Sequence, residues 1–249
     1  AGVFAPVESE VLIASIPAEF RDPENLWFGV TKRARAIFYA KDRVDPEELS
    51  TYQALTGPEW EDRILIRSSS NVYNQSLLGM MIAEQGSEEA QDWAAGMVEN
   101  FARKPQSNDT GQIRAVAAGL GDVAIANHYY FARLMLSDDP EDQEVVEKVA
   151  IFFPNQGEGE GGTHVNISGA GLVKGAPHPE EAILFLEFLA SPEAQAILAQ
   201  GNAEFPVNPE AEVPEVLESF EFVEDKTPAS EIGANNPESI RIFDRVGWR

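Results

Sequence analysis

The sequence predicts an α/β protein of two lobes with a ligand cleft between them. Its 249 residues suffice for two units of roughly a hundred residues each. Strand-like and helix-like segments alternate along the chain, as in layered α/β proteins. The pattern also calls for two crossings between lobes, which assigns residues 1–36 and 150–249 to the first lobe and residues 37–149 to the second.

Residues 1–30 carry Pro6, Pro17 and Pro23 between short apolar pieces, which reads as irregular structure leading into a strand over 27–39. That strand holds Lys32, Arg33 and Arg35, a dense basic cluster in an acidic chain. Asp45 before Pro46, Glu47 and Glu48 reads as a helix start: an N-cap, a proline in the first turn and acids beside the positive helix end. A buried-type strand over 63–67 runs into the polar turn 68–71 and then a helix with Leu77, Leu78, Met81 and Ile82 on one face. Ser87 reads as the cap of the next helix, whose Trp93, Met97 and Phe101 form a core-facing stripe. Asp109 and Gln112 have capping-box spacing and open a helix that stops at Gly119 and Gly121.

The run over 122–130, DVAIANHYY, reads as an apolar strand that ends on Asn127, His128, Tyr129 and Tyr130. Residues 131–136 look helical, 137–144 read as an acidic linker and 149–153 as a strand. The glycine-rich 157–162 formally fits G-x-G-x-x-G, but an extended run follows it and Glu158 and Glu160 would repel a pyrophosphate, so it reads as a loop. After an extended segment over 163–174, Pro179 opens a helix expected to bury Ala182, Phe185, Leu186 and Leu189. Ser191 and Pro192 restart a helix that ends at Gly201, and Pro237 begins a last one carrying Ile240 and Phe243.

Composition narrows the function. A net charge of −24, from 42 acidic and 18 basic residues, argues against nucleic acid, which is held by clustered Lys and Arg. The acids are spread over the whole chain and read as a solvated surface. No apolar run approaches the ~20 residues of a spanning helix, so no direct membrane insertion is expected. The absence of cysteine removes disulfides, thiolate zinc sites, iron–sulfur clusters and cysteine nucleophiles. No pattern of a known catalytic motif assembles, so an enzyme is not expected.

Of five tyrosines, Tyr73, Tyr129 and Tyr130 sit at strand exits among polar neighbours, whereas Tyr39 and Tyr52 look like packing. A phenol with pKa near ~10 is a poor proton-transfer group at neutral pH. Three phenols together suit a hard, highly charged cation such as Fe(III), which stabilises the phenolate. The alternative for each is aromatic packing with a hydrogen-bonded hydroxyl. The three histidines show no metal-binding spacing, and strand alternation turns His128 away from Tyr129. Asn71, Asn127, His128, Arg35 and Arg67 are the candidates for supporting or cleft-facing roles.

The segments WFGVTKRAR (27–35), RSSSNVYNQS (67–76), GDVAIANHYY (121–130), FPNQ (153–156), GTHVNISGAG (162–171) and SPEAQ (191–195) resemble the ferric-iron-binding solute-binding proteins of bacterial ABC transporters. The resemblance spans essentially the whole chain, and its two tyrosine segments are the specific ones. It implies a type II periplasmic binding protein fold, extracytoplasmic capture of Fe(III) by Tyr73, Tyr129 and Tyr130, and delivery to an inner-membrane permease. Similar proteins add a histidine, a tyrosine or both from an early strand that would precede Ala1. The first lobe is therefore expected to be incomplete, this chain a processed or trimmed product of a longer gene product, and the complete protein a monomer. Two other readings stay open: the same fold gripping an oxyanion or small organic acid through Arg35, Arg67 or Lys32, and a decayed or non-binding fragment.

Overall fold

The computed structural model describes residues 2–106 and 108–249. In chain order the elements are α1 (Glu10–Ser15), β1 (Phe28–Ala40), β2 (Ile64–Leu65), α2 (Val72–Gln85), α3 (Ser87–Glu99), α4 (Asp109–Ala117), β3 (Val123–Asn127) and α5 (His128–Met135). There follow α6 (Pro140–Lys148), β4 (Val149–Phe152), β5 (Val165–Ala170), α7 (Pro179–Leu189), α8 (Pro192–Asn202), β6 (Phe205–Pro206), α9 (Glu215–Glu218), α10 (Ala229–Ala234) and α11 (Asn236–Val246). Among the described residues no single helix is long and apolar enough to cross a membrane.

The chain forms two compact units. The first holds the chain up to Arg33, Asn166–Phe220 and Pro228–Ser230; the second holds Ala34–Val165, Glu221–Thr227 and Glu231–Arg249. The boundaries expected at 36 and 149 thus fall after Arg33 and after Val165. The larger departure is the C-terminal stretch, expected in the first lobe. Ile232, Ile242, Phe243 and Trp248 are buried in the core of the second unit with Ile37, Leu77, Met81 and Trp93. The contact is close enough that a Cβ on Gly79 of α2 would lie 2.8 Å from the Ile232 carbonyl oxygen.

In the second unit the sheet order is β2-β3-β1-β4. Strand β1 alternates β-branched, aromatic and small residues, and Ala34, Ala36, Ile37 and Phe38 are fully buried, as befits a central strand. It runs antiparallel to β3, with Arg35 opposite Asn127 and Tyr39 opposite Val123, and antiparallel to β4, with Ile37 opposite Phe152. Strands β2 and β3 show the expected parallel relation, and they are joined through helices α2, α3 and α4, the connection parallel strands require. Strand β3 stops at Asn127, three residues before the end of the expected strand run at Tyr130, and α5 begins at His128. The expected linker over 137–144 contains the start of α6, capped by the Asp139 side chain with Pro140 behind it. Asn108, not Asp109, caps α4, accepting from the Gly111 N–H at 2.9 Å.

In the first unit, β6 pairs antiparallel with the early part of β1, Thr31 opposite Pro206, and β5 pairs with β1 as well. Helix α1 docks on α7 through a Ser9 to Glu187 hydrogen bond of 2.6 Å. On α7 Leu186 is buried as expected, but Phe185 is 58% exposed.

Candidate metal centre

Three phenols are brought together in the second unit by two helix starts. The Asn71 side chain caps α2, accepting from the Tyr73 N–H at 2.9 Å, and so fixes Tyr73 in the first turn. Strand β3 is buried along its whole length and leads straight into α5, whose first turn carries Tyr129 and Tyr130. The Tyr73 and Tyr129 hydroxyls lie 3.1 Å apart, and the Tyr129 and Tyr130 rings pack at 4.1 Å between centroids. Both first turns lie at the positive end of a helix dipole, which favours negative charge.

Burial, followed by hydrogen bonds with Tyr130 and Tyr73, pushes the Tyr129 phenol well above its usual range. Burial also raises Tyr130, against the opposing effect of its hydrogen bond with Tyr129. Neither of these two phenols therefore ionises near neutral pH without help. A cation placed among the three oxygens would supply that help by reversing the local preference.

Positive charge is already stationed around the rings. The Arg35 and Arg67 guanidiniums lie 5.8 and 5.4 Å from the Tyr73 ring centre, and Arg133 lies 4.8 Å from that of Tyr129. Arg35 is 1% exposed and committed to protein: it donates to Asn127 Oδ1 at 3.1 Å, to Asn74 Oδ1 at 2.6 Å and to Asp109 at 2.6 Å. Arg67 also reaches Asp109. Lys32, the third cation considered for an oxyanion, belongs to the first unit and sits over the Phe20 ring.

The other sequence candidates have structural jobs beside the phenols. Asn71 is the cap of α2, and Asn127 accepts from Arg35. His128 is fully buried, and its Nδ1 accepts from the Ala34 N–H at 3.0 Å. Its separation from Tyr129, argued from strand alternation, comes instead from the turn of a helix and from that anchoring to β1. Tyr52 is buried, as expected of a packing residue. Sequence reasoning did not single out Arg133, Asn74 or Asp109. Arg133 carried a signal, since it lies four residues after Tyr129 and so on the same helix face. Asp109 looked like a cap and carried none.

Among the described residues no group of three His, Asp or Glu side chains could hold a metal ion, so the donors available at this point are phenolic. Residues 1–223 match the bacterial extracellular solute-binding protein family. The chain belongs to this family.

Within the family, iron uptake protein A2 of Synechocystis sp. is 53% identical over 250 residues, spanning all of this chain and 72% of that protein. The major ferric iron-binding protein of Neisseria meningitidis serogroup B is 25% identical over 227 residues, 90% of this chain and 65% of that one. Among solved structures, apo FutA2 from Synechocystis PCC6803 matches with a TM-score of 0.98 at 53% identity, covering 100% of this chain and 79% of that one. The Trichodesmium IdiA (FutA) in complex with iron and citrate ligands matches at 0.96 and 53% identity, covering 100% and 78%. The ferric binding protein from Campylobacter jejuni matches at 0.93 and 40% identity, again over 100% and 78%. The fold is thus the mixed α/β fold of the two-lobed periplasmic binding proteins. These relatives are named as uptake or binding proteins, not as enzymes.

Proposed function

We propose that this solute-binding protein captures ferric iron outside the cytoplasm, in the periplasm, and delivers it to the permease of an ABC transporter. Tyr73, Tyr129 and Tyr130 are its ligands from the second unit. The observation that carries this reading is the meeting of three phenols on two helix starts, with Tyr73 and Tyr129 oxygens 3.1 Å apart. Each phenol gives up its proton to become a hard oxygen donor, and three phenolates match the charge of one Fe(III). The names of the relatives support the same cargo and destination. No covalent step is needed: the iron is held, carried and released. An oxyanion as sole ligand is disfavoured because Arg35 is buried and already bound to three side chains.

The test is a titration of the protein with ferric nitrilotriacetate at neutral pH, followed in the visible region. Ferric iron on phenolates gives a charge-transfer band, and Tyr130→Phe weakens both the band and the retention of iron against a chelator. No band in the wild-type protein, or a band unaltered in Tyr130→Phe, rules the assignment out.

A further inference from the structure

The three phenols cannot keep their own spacing once iron is bound. The hydrogen bond between the Tyr73 and Tyr129 hydroxyls depends on a proton that coordination removes, and phenolates repel one another. Contacts outside the trio, unlike that hydrogen bond, can hold the two helix starts at one separation in both states. One carboxylate is placed to do so.

Asp109, the first residue of α4, is completely buried. Its Oδ2 accepts from Arg35 Nη1 at 2.6 Å and from the Asn127 backbone N–H at 2.9 Å, and its Oδ1 accepts from Arg67 Nη1 at 3.1 Å. Every one of these contacts leads to a tyrosine. Asn127 is the last residue before the turn bearing Tyr129 and Tyr130. The other arm of Arg35 binds Asn74 Oδ1, next to Tyr73, and the Asn74 amide closes the preceding loop onto the Arg67 and Ser68 carbonyls at 3.0 and 3.2 Å. The two guanidiniums that Asp109 holds are the two that lie against the Tyr73 ring.

We propose that Asp109 is a positioning residue for the tyrosine cluster, acting through Arg35, Arg67 and Asn127 to hold the starts of α2 and α5 at the spacing that the bound metal requires. The inference rests on the ferric reading of the site. Its chemistry depends on a carboxylate: only an acceptor-only group with two oxygens can serve donors on both sides. An asparagine there would turn an NH2 towards either Arg67 or the pair formed by Arg35 and the Asn127 N–H, and one helix start would lose its tether.

The deciding experiment compares wild type, Asp109→Asn and Arg67→Gln, each loaded with ferric nitrilotriacetate. The readouts are the charge-transfer band and the rate of iron release to excess EDTA, with the melting temperature of the iron-free protein recorded beside them. Asp109→Asn is expected to show a weaker, displaced band and release about 10- to 100-fold faster, the range for groups that orient metal ligands. Arg67→Gln shifts both in the same direction by less. A purely architectural carboxylate would lower the melting temperature and leave the band of the folded, loaded protein in place. Wild-type band and release in both variants overturn the proposal whatever their melting temperatures. If Asp109→Asn does not fold, Arg67→Gln decides on the same two readouts. A wild-type protein without the band overturns the ferric reading and this inference with it, so the two failures are told apart by the control.

Discussion

Replacing Arg35 by methionine separates the buried network from its cation while keeping an apolar stem of unbranched shape. Arg35 and Asp109 are 1% and 0% exposed, and their contact is 2.6 Å. Removing one partner of such a pair costs about 3–5 kcal/mol, because the other charge stays buried without compensation. Asp109 keeps Arg67 at 3.1 Å and the Asn127 N–H at 2.9 Å, which places this term at the lower end, about 3 kcal/mol. The Asn74 and Asn127 side-chain oxygens each lose a charged donor, adding about 1 kcal/mol after overlap with the first term. The sum of about 4 kcal/mol corresponds to a fall in Tm of about 8–16 °C for a chain of this size.

Tryptophan fluorescence is a suitable probe, since Trp60, Trp93 and Trp248 all sit in the core of the second unit. Urea melts of Arg35→Met, Asp109→Asn and the double variant close a thermodynamic cycle. The double variant should be less destabilised than the two single changes added together, because each single change leaves an unmatched charge that the other removes. A loss under about 1 kcal/mol in Arg35→Met, the range of exposed ion pairs, would refute the reasoning that this network holds the unit together.

Two further outcomes follow from local chemistry. Asn71→Ala removes the cap of α2 and should cost about 1 kcal/mol, fraying the turn that carries Tyr73; amide exchange at the Tyr73 N–H should quicken, and unchanged exchange there would contradict the capping role. Burial, a hydrogen bond with Asp225 and repulsion from its charge raise the Glu84 carboxyl to about 7, with both side chains converging on Gly161. A carboxyl raised on folding contributes stability that is fully present below its unfolded value of about 4.3 and is lost as pH rises through about 7. Glu84 is still substantially exposed, so solvent screening reduces the effect to about 1 kcal/mol. Glu84→Gln, which keeps a donor for Asp225, should therefore be more stable than wild type at about pH 8 by about 1 kcal/mol and show a flatter stability profile from about pH 5 to 7. A profile identical to wild type in denaturant melts would count against the raised Glu84 carboxyl.

Much of the candidate site was legible because its positions are governed by local rules. A buried strand, a polar turn and a helix start bring Tyr73 out beside its Asn71 cap, and the apolar run over 123–127 delivers Tyr129 and Tyr130 the same way. Those rules act within a few residues, so motif and periodicity singled out three phenols that the fold brings together, and an α/β chain of two units. They also erred within their own range, running the strand over 122–130 past Asn127 where a helix begins.

What the neighbourhood decides was not legible. Phe185 fits the apolar stripe of its helix yet is exposed, and α11 joins the second unit although the chain order suggested the first. Asp109 reads as a helix cap, and only the folded chain gathers Arg35 and Arg67, 74 and 42 residues away, around its carboxylate. By itself the sequence determined which side chains present the phenols, since capping and alternation are properties of adjacent residues. The tertiary structure alone decided what holds those phenols in place, because the burial of a charge depends on partners distant along the chain.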